Sequence, residues 1–149
     1  MAKAEPDIII FDLDGTLADI EHRQHFVQGK KKRWRDFFAA CIADKPHRAV
    51  IAVLRALYGK YQIYIVSGRS DEVRAPTEEW LKVNDVPHHK LIMRREGDFT
   101  PDNVLKIRWV NEGLIPKERI LCVFDDRDKV VKMWRDNGIP CFQVAEGNF

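Results

Sequence analysis

The chain has 149 residues, 25 Lys and Arg against 23 Asp and Glu, and an apolar fraction of 45%. That length supports one hydrophobic core, and charges that nearly balance at a third of the residues exclude a disordered chain or a wholly basic one. Cys41, Cys122 and Cys141 are odd in number, far apart and without C-x-x-C spacing, which excludes a disulfide framework or zinc knuckle and predicts reduced thiols in a cytoplasmic setting.

The opening MAKAEPD carries acidic residues and no apolar stretch of signal-peptide length, and no later run approaches the roughly 18 residues that span a bilayer, so neither export nor membrane insertion is expected. Residues 7–12, DIIIFD, are a short β-branched run closed by the turn-forming Asp14-Gly15 pair. This is the pattern of a strand buried on both faces. A polar stretch from Asp19 to Lys32 follows, then WRDFFAACIA, whose Trp34, Phe37, Phe38, Cys41 and Ile42 recur at helical spacing. Val50, Ile51, Val53, Leu54 and Leu57 predict a helix over 47–58, which Gly59 ends.

YQIYIV predicts a second strand, with a turn at SGRS. Residues 76–84 predict a helix with Pro76 near its first turn, and KLIM a third strand. Thr100 and Pro101 suit the N-cap and first position of a helix in PDNVLKIRWVNE that Gly113 closes. RILCVF is a fourth strand, RDKVVKMWRDN a helix stopped at Gly138, and CFQVA a fifth strand. The alternation predicts right-handed βαβ crossovers. The expected class is therefore α/β: one Rossmann-like domain over 1–149, with five parallel strands, helices on both faces and a small cap insertion at 19–46 after the first strand.

Ligands of open α/β sheets bind beyond the carboxyl ends of the strands. The first strand ends in Asp12, Asp14 and Thr16, the second in Ser67, Gly68 and Arg69, the fourth in Asp125, Asp126 and Arg127. Two carboxylates about 4 Å apart repel by about 4 kcal/mol at an effective dielectric near 20, so a positive charge has to sit among them. Hard oxygen donors without a His or Cys cluster suit Mg2+. The plainer alternative is that Asp12 and Asp14 only form a turn and that Asp125 and Asp126 only cap the next helix; it suits either pair alone better than both together with Ser67 between them.

With these residues in place the sequence resembles the haloacid-dehalogenase-like phosphohydrolase superfamily. IIIFDLDGTLAD matches its first motif, IVSGR supplies Ser67 of the second, Lys106 is placed for the third, and VFDDRDKVV supplies the acids of the fourth. Closer still is the likeness to the 3′-phosphatase domain of bacteriophage polynucleotide kinase-phosphatases, carried by FDLDGTLA, QIYIVSGR, RREGDFTPDNVLK and FDDRDKVVKMWRDNGIPCFQVAEGNF and weak over 19–46. No GxxxxGK[ST] occurs, so no kinase domain is expected.

The resemblance implies a Mg2+-dependent phosphomonoesterase that works through an aspartyl-phosphate. Asp12 would be nucleophile and metal ligand. Asp14 would be the acid and base, protonated at the first step, with its backbone carbonyl on the metal. Ser67 and the amides near Gly15 and Gly68 would hold the phosphoryl oxygens, Lys106 would contact phosphate and Asp12, and Asp126 would bind the metal directly with Asp125 beside it. Arg69 would clamp a phosphate or pair with Asp71. The implied substrate is a nucleotide or nucleic-acid 3′-phosphate end, with a separate kinase or ligase as a possible partner. Two other functions stay open: a nucleotidase for free nucleoside monophosphates, and a nucleic-acid-binding module without turnover.

Other features have plainer readings. Taken alone, Lys106 in a helix with Val104, Leu105, Ile107 and Val110 would snorkel to solvent. Asp98 and Asp102 are expected to orient it rather than act as catalytic acids. Lys30, Lys31, Lys32, Arg33 and Arg35 around Trp34 suit a nucleic-acid backbone with a stacked base, although a solvated loop with Trp34 in the core is favoured. Arg94 and Arg95 share that ambiguity. The five histidines show no metal spacing, and Trp80, Trp109 and Trp134 fall at core spacing.

Overall fold

The computed structural model describes residues 5–149; the leaderless reading of the first few residues lies outside these. Five strands, β1 (Ile8–Phe11), β4 (Gln62–Ser70), β5 (Lys90–Arg94), β6 (Ile120–Asp125) and β7 (Cys141–Gln143), form one sheet in the order β5-β4-β1-β6-β7. Every pairing is parallel. The expected α/β architecture is therefore present, with β1 where the strand order reverses, the position at which such sheets bind ligands.

Side chains of β1 alternate between two cores because successive residues of a strand face opposite ways. Ile8 and Ile10 join Leu105, Trp109 and Val110 of α4 (Asp102–Asn111) and Val130, Val131 and Trp134 of α5 (Asp128–Asp136). Ile9 and Phe11 join Ile51 and Leu54 of α2 (Arg48–Leu57) and Trp80 and Leu81 of α3 (Arg74–Val83). Trp80, Trp109 and Trp134 are all buried, as their spacing predicts. The three cysteines are buried and unpaired. Burial raises their thiol pKa values, that of Cys141 to about 12, so they stay protonated and unreactive.

Several boundaries differ from the sequence pattern. Strand β4 runs on through SGRS to Ser70, with its register against β5 broken between Ser67 and Ser70. Helix α3 starts two residues before Pro76, following a single 3-10 turn over Asp71–Val73 that Ser70 Oγ caps by accepting the Glu72 N–H. Helix α4 starts at Asp102 because Thr100 gives its N–H and hydroxyl to Asp98 Oδ1 and leaves the cap position to an extended Pro101.

The insertion is closed at its base by a small antiparallel pair, β2 (Ala18–Asp19) with β3 (Lys45–Pro46). Between them run a 3-10 segment, Glu21–Val27, and helix α1 (Trp34–Ala39), which tightens into a 3-10 turn over Ala40–Ala43. The tighter winding turns Ile42 off the apolar face and leaves it 62% exposed, so the helix ends earlier than the spacing suggests. Among the described residues no helix is long and apolar enough to cross a membrane.

Candidate active site

The register fixes how the acids meet. Phe11 pairs with Phe124 across β1 and β6, so Asp12 and Asp125 leave neighbouring strand ends side by side, and the Asp12 N–H donates to the Phe124 carbonyl at 2.9 Å. Asp12, Asp125 and Asp126 each bring a carboxylate oxygen within 4.8 Å of the others. Lys106 on α4 is 1% exposed, so it does not snorkel. Its Nζ reaches between two of the acids, 2.8 Å from Asp12 Oδ1 and 3.1 Å from Asp125 Oδ2.

One ammonium does not neutralise three buried carboxylates. Burial, then repulsion from Asp125, raises the pKa of Asp12 well above the ordinary carboxylate range, against the pull of Lys106. Burial likewise pushes Asp126 up to about 6. The Lys106 ammonium is held firmly charged by Asp12 and Asp125, which outweigh its own burial. Such a field has room for a further cation, and hard oxygens suit magnesium. Asp125 is already occupied: Oδ2 accepts from Lys106 and from Trp134 Nε1, and Oδ1 from the Asp126 N–H. Among the described residues the side chain of Asp126 accepts from Thr16 Oγ1 alone, at 3.2 Å, and is the freer ligand.

Space for this cluster depends on Gly15. It has φ +85°, and a Cβ there would collide with the carboxylate of Asp126. Its N–H donates to the Ala18 carbonyl at 2.8 Å, so in this arrangement the Gly15 amide itself is spent inside the turn. Ser67 is buried, and its Oγ accepts the Arg69 N–H at 3.0 Å. Gly68 lines the crevice; a Cβ on it would strike the Asp102 carboxylate, which Arg94 Nη2 also holds.

Asp14 faces a different set of charges. Its Oδ1 accepts from Arg23 Nη2 at 2.6 Å and from Arg69 Nη2 at 2.5 Å. The two guanidiniums overcome the effect of burial and lower its pKa to about 2. On the sequence alone Asp14 is expected to be protonated at the first step; here two arginines hold it ionised. Arg69 is correspondingly occupied. It pairs with Asp14 and with Asp44 rather than with Asp71, donates to Thr77 Oγ1, and is 1% exposed, so it does not present itself to a phosphate in this arrangement. Its Nε is the one buried side-chain polar atom without a partner among the described residues.

Arg23 and Asp44 complete this network and are absent from the sequence-derived site. Asp44 accepts from Arg23 Nε and Nη2 at 2.8 and 2.7 Å, from Arg69 at 3.1 Å, and touches His22 Nε2 at 2.6 Å. Both lie in the insertion, where no periodicity distinguishes them from surface charges. A buried position for each is visible only once the β2–β3 pair folds the insertion back over Asp14.

Asp98 and Asp102 divide their tasks. Asp102 adds negative charge near Lys106, whereas Asp98 pairs with Arg108 at 2.6 Å and not with the lysine. Arg94 ties the loop after β5, donating to the carbonyls of Gly68, Asp98 and Thr100, while Arg95 is exposed. Trp34 is 40% exposed and lines the crevice, so it is not the core residue that a solvated loop would imply. No histidine belongs to a candidate metal cluster among the described residues.

Above the acids opens a crevice of about 990 Å3, lined by Asp12, Asp14, Asp125 and Asp126 on one side and by the insertion and the loop after β5 on others. A parallel α/β sheet with a carboxylate trio and a lysine at its switch point, partly roofed by a short insertion, is the arrangement of a haloacid-dehalogenase-type phosphatase. Residues 6–149 match the polynucleotide kinase PNKP phosphatase domain family, and the chain belongs to it. It is thus a magnesium-dependent phosphomonoesterase of that type.

The chain is also similar to individual proteins. The "Putative bifunctional polynucleotide kinase/RNA ligase" of Autographa californica nuclear polyhedrosis virus is 34% identical over 138 residues, 91% of this chain and 19% of that protein. A chain in the structure of the Pnkp1/Rnl/Hen1 complex superposes with a TM-score of 0.84 at 31% identity, covering 99% of this chain and 49% of its own. A haloacid dehalogenase-like family hydrolase of Streptococcus pneumoniae, 14% identical with a TM-score of 0.62 over 92% of this chain and 83% of its own, shares the fold. The chain thus spans about half of the first structural relative and a fifth of the viral one.

Proposed function

We propose that this chain is a single phosphatase domain over 1–149 that removes the 3′-phosphate from polynucleotide ends, with Asp12 as nucleophile. The observation that carries the reading is the meeting of Asp12, Asp125, Asp126 and Lys106 Nζ beneath a crevice far larger than a phosphate needs. Asp12 and Asp126, with Asp125 close by and the Asp14 carbonyl as a further oxygen, would hold a magnesium ion, which would supply charge neutralisation for the phosphoryl group.

Attack by the Asp12 carboxylate on phosphorus expels the sugar oxygen and leaves an aspartyl-phosphate, which water then hydrolyses. Lys106 fixes the Asp12 rotamer and brings permanent positive charge to the transferred group. Ser67 and the Gly68 amide are the donors for the phosphoryl oxygens. Asp14, ionised between its arginines, is set to take the proton of the attacking water. Donating a proton to the leaving oxygen in the first half requires Arg23 and Arg69 to loosen as the phosphate enters. Arg69 then becomes free to bind it.

The names of the relatives, a polynucleotide kinase/RNA ligase and a member of a Pnkp1/Rnl/Hen1 complex, support a nucleic-acid substrate and association with kinase or ligase activity. Three buried free thiols support a reducing, cytoplasmic compartment.

Phosphate release with magnesium from a 3′-phosphorylated oligonucleotide, compared with nucleoside 3′- and 5′-monophosphates, tests the reading. The oligonucleotide should be the preferred substrate and Asp12→Ala should abolish release. Preference for free 5′-monophosphates would make the protein a nucleotidase, and turnover that survives Asp12→Ala would remove the covalent route.

A further inference from the structure

Phe99 is 84% exposed, the most exposed large apolar side chain among the described residues, yet it sits on a loop tied down on both sides. The Asp98 carboxylate accepts from the Thr100 N–H at 2.9 Å, from Thr100 Oγ1 at 2.5 Å and from Arg108 Nη2 at 2.6 Å. From the other side, Arg94 Nη1 donates to the carbonyls of Asp98 and Thr100, the two residues that flank Phe99. These bonds fix the backbone on either side of Phe99 and leave its ring exposed. Phe99 lines the same crevice as Asp12 and Asp126. It is three residues from Asp102, whose carboxylate packs on Gly68, and three residues of chain reach at most about 11 Å.

Across the insertion, Trp34 lines the same crevice, stacked at 6.0 Å on Phe38 and with Lys32 Nζ 5.7 Å above its ring. The crevice therefore carries carboxylates for a metal and phosphate at its base and, farther out, aromatic faces beside cationic side chains. That pairing suits a nucleotide, whose base offers a π-face and whose backbone is anionic. A purely apolar partner would find Lys32, Arg35 and Arg94 in the same wall.

We infer that Phe99 is the stacking platform for the base of the terminal nucleotide of the substrate, with Trp34 forming the second aromatic wall of that subsite. The inference rests on the proposed action at polynucleotide 3′ ends and adds to it the contact that tells a nucleotide end from a bare phosphate ester. The loop is ordered beforehand, so binding the base does not have to order it.

The test compares Phe99→Ala, Phe99→Tyr and the parent chain on two oligonucleotides with a 3′-phosphate, one with an ordinary terminal base and one whose terminal sugar lacks a base. Loss of one stack corresponds to about a 5- to 150-fold fall in kcat/KM. Phe99→Ala should show that fall through KM on the base-bearing end, show little change on the abasic end, and be rescued by Phe99→Tyr. Equal kinetics of the alanine variant and the parent on both ends, or an equal loss on both, would overturn the inference. If the parent chain releases phosphate from an aryl phosphate but from neither oligonucleotide, the proposed substrate itself fails, and this subsite with it.

Discussion

Lys106 Nζ lies 2.8 Å from Asp12 Oδ1, although 94 residues separate them in sequence. The same ammonium touches Asp125, so one side chain ties α4 to the ends of β1 and β6. Replacing it by Met keeps much of the volume and leaves the acids unpaired. Lys106→Met should destabilise the metal-free protein by about 3–5 kcal/mol, the usual result of breaking a buried ion pair. Urea unfolding with and without magnesium measures this; an unchanged midpoint would show that the lysine holds nothing together.

The raised acids make magnesium binding depend on pH. A carboxyl whose folded-state pKa lies above its unfolded value favours the folded protein while protonated, and that stability is lost as pH rises through the window from about 3.8 to about 6 given by Asp126, with Asp12 shifted the same way. The acids held low, Asp7, Asp14 and Asp98, act in the opposite sense and only below 3.8. Thermal melts should therefore show the metal-free protein weakening across that window and magnesium giving little protection at pH 4 but clear protection above pH 6. Equal protection at both ends of the range would contradict the charge balance derived for the trio.

Asp44 neutralises two guanidiniums that are wholly buried. Asp44→Ala leaves Arg23 and Arg69 sharing the single carboxylate of Asp14 and should cost about 3–5 kcal/mol, whereas Asp44→Asn, which retains one acceptor, should cost less. Denaturant titration of both variants decides between this and a merely solvated role.

With Asp14 ionised by its arginines, the base role proposed for it in the second half-reaction is the easier one. On an aryl phosphate, whose leaving group departs without a proton, Asp14→Asn should give a burst of aryl alcohol of one equivalent per chain followed by slow turnover. A slow first turnover with no burst would place the need for Asp14 before the phosphorylated intermediate.

Gly15 leaves the room that the Asp126 carboxylate occupies, at a φ of +85°. Gly15→Ala adds a methyl group in that space and a left-handed cost of about 1–2 kcal/mol. Its magnesium affinity, read by calorimetry, should fall more steeply than its melting temperature. Affinity equal to that of the parent would mean that Asp126 does not need its present position.

Strand and helix identities were legible in the sequence because apolar periodicity reports burial directly: the run at Ile8 and the spacing of Trp109 and Trp134 fall where the pattern puts them. Boundaries were less so, since they turn on single hydrogen bonds such as the one from Thr100 to Asp98 that displaces the start of α4. The acids were readable from strand ends, but their partners were not. Arg23 and Asp44 are ordinary charged residues in a polar stretch, and their burial follows from an ion-pair network that forms only in three dimensions. Lys106 shows the same limit: taken by itself, its helix suggested a solvent-facing tip, and only the neighbouring carboxylates keep it inside.

Strands β1 and β6 lie side by side, yet Thr16 bonds Asp126 across 110 positions of chain. During synthesis the polypeptide therefore exposes Asp12 long before Asp125 and Asp126, which complete the carboxylate trio, leave the ribosome. A nascent fragment ending before β6 carries the FDLDGT turn but lacks two of the three acids of the trio. The carboxylate trio is thus completed late in synthesis, by β6 and the residue that follows it.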